Sequence, residues 1–125
     1  MTMRSILIGA VSTAPARLKT KDSGQVMVEI CDELDAPVRS CLAEAPFSVI
    51  SIVLRYVDGP ERAIELGKIN RHRELEVGID VDVRRIRRVD RNTLKDIFRE
   101  RVMRSLQLVK EKFGLPCILP SSADA

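Results

Sequence analysis

The clearest pattern in the chain is an alternation of apolar and polar residues between positions 74 and 83. The apolar positions are Leu75, Val77, Ile79, Val81 and Val83, and the positions between them hold Glu74, Glu76, Gly78, Asp80 and Asp82. Successive side chains of a β-strand point to opposite faces, so this period of two predicts a strand with one apolar and one acidic face. Four carboxylates on one open face repel one another, and Asp and Glu are poor strand formers. We therefore expect the acidic face to be well solvated or to meet a positively charged partner.

Three further segments have the patterns of strands. Residues 5–11 form a short apolar run that is typical of a buried first strand, and residues 25–30 place Val26, Val28 and Ile30 on one face. Residues 47–57 are largely apolar on both faces, which predicts a central strand of the sheet. Residues 58–60 predict a turn, and residues 61–73 form either a helical turn or an irregular segment that leads into the acidic strand.

Helical signals are concentrated in two places. Asp35 and Pro37 are typical of a helix start and predict a short helix that ends before Pro46. After one helical turn within residues 84–91, the spacing predicts a long helix from Thr93 to Phe113. Thr93 and Asp96 resemble a capping box, and Gly114 suits the left-handed residue that follows a helix.

These elements predict a single α+β domain over residues 1–125. We expect a mostly antiparallel sheet of four or five strands, with the long C-terminal helix and the shorter helix packed on one face. Residues 120–125 are expected to form a flexible tail.

Charge is distributed unevenly along the chain. The net charge is +3, but residues 84–104 hold nine Arg or Lys against three acids. Glu29, Asp32, Glu33 and Asp35 form a second acidic group besides the acidic strand. The distribution of charge is therefore more informative than its total.

The three cysteines and the N-terminus bear on the compartment. Cys31, Cys41 and Cys117 are odd in number and fit no zinc spacing, so we interpret them as reduced thiols. Reduced thiols favour a cytoplasmic protein. The apolar run near the N-terminus is short and is preceded by one Arg, which favours a first strand over a secretory signal. No segment approaches the roughly 20 apolar residues of a membrane span.

The candidate chemistry is sparse. Glu76, Asp80 and Asp82 suggest a divalent metal site, but a flat strand spreads its carboxylates about 7 Å apart, which suits a surface better than a cage. His72 lies between two arginines and has no nucleophile near it in the pattern. Residues 84–104 carry enough positive charge for phosphate, but the aromatic residues fall on core-facing positions, which favours a solvated helical face with ion pairs. We expect no catalytic residue, no metal and no cofactor.

Part of the C-terminal half resembles a known family. The resemblance is carried by residues 67–70, His72, residues 74–77, Leu94, Ile97, Phe98, Leu106 and residues 112–116. This pattern is similar to immunity proteins of bacterial polymorphic toxin systems, including contact-dependent growth inhibition, and most of all to the immunity protein 39 family.

The resemblance implies a protein that binds the toxic domain of a cognate effector and neutralises it in the cytoplasm. Many such toxins act on nucleic acids and carry basic surfaces, which an acidic face would complement. Our hypothesis assigns toxin binding to Glu74, Glu76, Asp80 and Asp82, with the group from Glu29 to Asp35 as a second candidate patch. The expected partner is a protein, not a nucleic acid or a membrane. Two alternatives remain open: a small metal-dependent hydrolase that uses the acidic strand, and a nucleic-acid binder that uses residues 84–104.

Overall fold

The acidic strand lies inside a four-stranded sheet. The computed structural model describes residues 5–12, 23–40 and 45–116. Its elements are β1 (Leu7–Val11), α1 (Ser23–Arg39), β2 (Val49–Val57), β3 (Glu65–Ile69), β4 (Glu74–Asp82), α2 (Val83–Ile86) and α3 (Arg91–Phe113). The expected α+β fold with a long C-terminal helix is confirmed, as are the strands predicted at residues 5–11, 47–57 and 74–83.

The strand order is β1-β2-β4-β3, so β2 is central as predicted. Strands β1 and β4 both run parallel to β2, and only β3 runs antiparallel to its neighbour β4. The expectation of a mostly antiparallel sheet is therefore wrong, because the sheet is mixed. A parallel pair needs a crossover connection, and α1 supplies it between β1 and β2.

Helix α1 replaces two predicted elements. Residues 25–30 are helical, not a strand, and no helix starts at Asp35, because α1 runs without a break from Ser23 to Arg39. Its buried apolar residues recur at helical spacing: Val26, Met27, Ile30, Cys31, Leu34 and Val38. Pro37 lies two residues before the end of α1, so the helix loses the hydrogen bond that residue 37 would donate to the Glu33 carbonyl only in its last turn.

Both long helices cover the same face of the sheet. Helix α1 contacts β1, α3 contacts β4, and the two helices contact each other. The apolar residues of β4 point into this layer, where Leu75, Val77, Ile79 and Val81 are fully buried. Phe98 of α3 is also fully buried in the same core.

Helix α3 begins and ends at residues with clear caps. Its N-cap is Asp90, which accepts a hydrogen bond from the Thr93 backbone N–H, so the capping box predicted at Thr93 lies one turn too late. Gly114 takes the left-handed conformation (φ 62°), as predicted, and its N–H donates to the Lys110 carbonyl.

The segment before β4 is more regular than either of its two predicted forms. It contains strand β3, which pairs with β4 through an irregular register between Leu66 and Ile69. The single helical turn expected after β4 is present as α2. The predictions for Cys41, Cys117 and the tail fall outside the described residues.

Candidate functional site: the uncovered face of the sheet

One face of the sheet is covered by the helices, and no described element packs on the other, which we call the uncovered face. Residues paired between neighbouring strands share a face, so the uncovered face can be read from the register. Its members are Ile8 and Ala10 of β1, Val49, Ser51, Val53, Arg55 and Val57 of β2, Glu65 of β3, and Glu74, Glu76, Gly78, Asp80 and Asp82 of β4. All four carboxylates of the acidic strand lie on this face, as the alternation predicted.

Among the described residues, the first two carboxylates, Glu74 and Glu76, have no cationic partner. Glu76 is exposed and Glu74 is half-buried, and neither side chain makes an ion pair or hydrogen bond with the described residues. The turn before β4 places them, because the Asn70 side chain accepts hydrogen bonds from the backbone N–H groups of His72 and Glu74. No described side chain therefore occupies these two carboxylates.

Asp80 has a different environment. It is only 1% exposed, and its carboxylate meets Arg55 Nε at 3.1 Å and Arg62 Nε at 2.7 Å. It also accepts the Arg62 backbone N–H at 3.0 Å. Burial raises the pKa of Asp80, but the hydrogen bonds from Arg62 and the charge of Arg55 outweigh it, so the pKa lies below its ordinary value.

Asp82 is also engaged. Its carboxylate caps α2 by accepting the Arg84 backbone N–H and forms an ion pair with the Arg84 guanidinium at 2.7 Å. These contacts lower the pKa of Asp82 to about 2. Of the two expected environments, solvent or a positively charged partner, Asp80 and Asp82 therefore have the second, and the positive charges come from arginines of the same chain.

These pairs belong to a larger cluster at the C-terminal end of β4. Glu61 accepts the Asp82 backbone N–H at 2.9 Å and pairs with Arg85 at 2.8 Å. Arg101 of α3, which is buried, donates to the Asp80 carbonyl at 3.1 Å. We call this group the ion-pair cluster: Arg55, Glu61, Arg62, Asp80, Asp82, Arg84, Arg85 and Arg101. It joins the loop after β2, the end of β4 and α3.

The second candidate patch is mostly engaged in ion pairs on the helical layer. Glu29 pairs with Arg91, and Glu33 pairs with Lys95 at 2.8 Å and with Arg99 at 2.9 Å. The hydrogen bond from Lys95 is the largest influence on the pKa of Glu33, which lies below its ordinary value. The carboxylates of this patch thus bridge α1 to α3, and the basic face of α3 carries the ion pairs expected from its sequence.

Asp35 and Asp32 complete that patch. Asp35 accepts the backbone N–H groups of Ile6 at 2.8 Å and Leu7 at 3.0 Å and pairs with Arg39 at 2.7 Å. Burial raises the pKa of Asp35, but these hydrogen bonds and the Arg39 charge bring it below the ordinary value. Asp35 therefore holds the start of β1, whereas Asp32 is exposed.

Sequence reasoning missed the aliphatic half of the uncovered face. Ile8 is 42% exposed, Ala10 is exposed, and Val49, Val53 and Val57 are half-buried. The signal was present, since residues 47–57 are apolar on both faces. It was interpreted as burial on both sides, whereas the described residues cover only one.

A shallow depression lies in the acidic half of the same face. Its volume is about 140 Å³, and its lining consists of Val53, Arg55, Glu65, Gly67, Glu76 and Gly78. Within the described ranges, no group of three or more His, Cys, Asp or Glu side chains is arranged to hold a metal ion. No helix in those ranges is long and apolar enough to cross a membrane.

The described residues define a two-layer α+β protein with a mixed four-stranded sheet and one uncovered, partly acidic sheet face. Residues 1–123 match the sequence profile of the family described as immunity protein 39, so the chain belongs to that family. Membership confirms the resemblance found in the C-terminal half and extends it over nearly the whole chain. It indicates an immunity protein with a toxin as its partner and suggests a binding role instead of a catalytic one. No curated protein and no solved structure matches the chain.

Proposed function

We propose that this protein binds the toxic domain of a cognate antibacterial effector in the cytoplasm and neutralises it by forming a complex, without catalysis. The observation that carries the proposal is the family match over residues 1–123. The effector is proposed to belong to a polymorphic toxin system of the contact-dependent type.

The electrostatics of the uncovered face support a nuclease as the toxin. A nuclease presents cationic side chains to the phosphates of its substrate, and such a surface attracts carboxylates. Glu74 and Glu76 offer charge that no described cation neutralises. Complementary charge speeds association, which suits a protein that must reach its toxin before the toxin reaches nucleic acid.

The four carboxylates of β4 are proposed to serve toxin binding in two ways. Glu74 and Glu76 contact the toxin directly. Asp80 and Asp82 act through the arginines that they hold, because the ion-pair cluster fixes the end of β4 and the loop beside it. Among the second candidate patch, only Asp32 is exposed and without a described ion pair.

The two alternatives find less support. Nucleic-acid binding by residues 84–104 needs available cations, but seven of those nine side chains pair with carboxylates: Arg84, Arg85, Arg91, Lys95, Arg99, Arg101 and Arg104. Hydrolysis on the acidic strand needs carboxylates that converge on one metal, but Asp80 and Asp82 bind arginines.

Co-expression tests the proposal. The toxin domain encoded beside the gene for this chain is induced in a sensitive bacterium with the chain, without it, and with an unrelated immunity protein as the control. We expect survival only with this chain, and co-purification of a stable complex. Toxicity that the chain does not relieve, together with no complex between the purified proteins, would contradict the proposal.

A further inference from the structure

The parallel part of the sheet has an unusual exposure. Strands β1, β2 and β4 form a continuous parallel set, and α1 and α3 cover one side of it. Parallel strands are normally covered on both faces, since their side chains are apolar on both sides. Here no described helix covers the second face, and Arg62 covers it only at the end of β4, where it contacts Asp80.

One half of the uncovered face is aliphatic. Ile8 and Ala10 of β1 lie beside Ser51 and Val53 of β2, and Val49 and Val57 extend the strip along β2. These side chains are half-buried or exposed, and Arg55, whose guanidinium is paired with Asp80, separates Val53 from Val57. Burying a strip of this kind against a partner removes apolar surface from water, which is the main favourable term in most protein association.

The other half of the face is acidic. Glu65 and Glu76 are exposed, Glu74 is half-buried, and none of the three pairs with a described cation. The Arg55 guanidinium, which lines the same depression as Glu65 and Glu76, binds Asp80 at 3.1 Å. This half therefore carries three carboxylates that form no ion pair with any described residue.

The depression between these carboxylates is shaped by two glycines. A Cβ on Gly67 would lie 3.0 Å from the Glu76 carbonyl oxygen, and a Cβ on Gly78 would lie 2.9 Å from the Arg55 guanidinium. The depression, about 140 Å³, is lined by Glu65 and Glu76 and also by Arg55, whose guanidinium lies against Gly78 and is paired with Asp80. A recess with carboxylates on its walls suits the end of one lysine or arginine side chain.

We infer that the toxin docks flat on the uncovered face. An aliphatic patch of the toxin covers β1 and β2, and a lysine or arginine of the toxin lies between Glu65 and Glu76. This inference rests on the proposed function and adds where the toxin binds and what chemistry its surface has. The family match selects a toxin as the occupant. The available charge selects this face, because the acidic patch of α1 is mostly bridged to α3 whereas Glu65, Glu74 and Glu76 form no ion pair with any described residue.

Binding measurements on matched variants test the inference. A catalytically inactivated form of the toxin domain encoded beside this gene is immobilised, and its affinity for each purified variant is measured by biolayer interferometry. Val53→Lys and Glu76→Lys change the two halves of the uncovered face. Val28→Lys and Glu111→Lys are the controls, because both residues are exposed on the helical layer.

We expect each uncovered-face variant to weaken binding at least about 30-fold, the effect of losing a central interface contact, and each control to change it less than about threefold. Glu76→Gln should slow association at low salt and have less effect at high salt. Thermal melting of every variant, followed by circular dichroism, shows whether the variant is folded. If Val53→Lys does not fold, Glu76→Lys alone tests the docking site.

The possible outcomes separate the two claims. If the wild-type protein and both uncovered-face variants bind the toxin with equal affinity, the docking site is wrong and the proposed function stands. Loss of binding in the helical-layer controls alone assigns the interface to α1 and α3 and also overturns it. Wild-type protein that does not bind the toxin overturns the proposed function and this inference together.

Discussion

The two faces of the sheet come from the same strands, yet their residues have different surroundings. On the covered face every apolar residue of β4 is fully buried under the helices. On the uncovered face, Glu76 has no described partner whereas Asp80, four residues later, is buried and held by two arginines. Alternation along a strand thus decides which face a side chain joins, but its neighbours from other elements decide whether its charge is available.

The largest expected effect is a loss of stability on the covered face, measured by comparing neighbouring positions of β2 on the two faces. Ile52 is fully buried, so Ile52→Ala should lower the free energy of unfolding by about 2–5 kcal/mol through lost burial and a cavity. Val53→Ala should cost less than about 1 kcal/mol, because Val53 lies on the uncovered face. Urea denaturation followed by circular dichroism measures both, and equal losses would mean that Val53 is as enclosed as Ile52.

The next effect compares the two ends of the uncovered face. Asp80→Asn keeps the shape of the side chain but removes the charge that Arg55 and Arg62 contact, so it should cost about 2–3 kcal/mol. Glu76→Gln should change stability by less than about 0.5 kcal/mol, since no described contact depends on that carboxylate. The same denaturation experiment measures the pair. A stable Asp80→Asn variant would contradict the structural role of the ion-pair cluster.

A smaller effect concerns how closely α1 approaches the covered face. A Cβ on Gly9 would lie 2.8 Å from Cys31 Sγ and 3.2 Å from Met27 Cε, so Gly9→Ala should cost about 1–3 kcal/mol through overpacking. Gly24→Ala in the first turn of α1 is the matched control, because a Cβ there meets nothing within 4 Å. We expect the control to be neutral or to stabilise by about 0.5 kcal/mol. Similar melting temperatures for the two variants would show that α1 adjusts without cost.

The smallest effect is a dependence of stability on pH that comes from the engaged carboxylates. Asp82 has a pKa of about 2 in the folded chain against an ordinary value of 3.8, and the pKa values of Asp80 and Asp35 are also lowered. The unfolded chain therefore takes up these protons first, so the stabilisation is present above about pH 5 and is lost as the pH falls toward 2. Denaturation curves between pH 6 and pH 2.5 should show this loss, and Asp82→Asn should show a shallower one. An unchanged pH slope in Asp82→Asn would refute the contribution of Asp82.

The sequence alone was sufficient for elements whose pattern extends over many residues. The alternation in β4 spans nine residues and the stripe of α3 spans more than twenty, so both were correctly predicted. Residues 25–30 were misassigned because six residues satisfy both periods: Val26, Val28 and Ile30 alternate, while Val26, Met27 and Ile30 fit a helix. The continuation to Leu34 and Val38 favours the helix. Because α1 was not predicted as one helix, no helical crossover between β1 and β2 was expected, and their parallel pairing was not predicted.

The candidate site was predictable to a lesser degree. The acidic face of β4 follows from the sequence, but the partners of Asp80 do not, because Arg55 and Arg62 lie 25 and 18 residues away in sequence and meet Asp80 only in the folded chain. The uncovered aliphatic strip was hidden for a related reason. Apolar residues on both sides of a strand indicate burial in general and do not distinguish a helix of the same chain from a separate molecule.

The separation of charges along β4 has a consequence for how recognition can change over generations. Asp80 and Asp82 are tied to the ion-pair cluster, so substitutions there disturb the scaffold. Glu65, Glu74 and Glu76 form no ion pair with any described residue, so we expect a new side chain at any of them to change the charge of the surface while the fold is kept. Under the proposed docking site, single replacements at these positions are expected to change the affinity for a toxin whose surface changes, without loss of the fold.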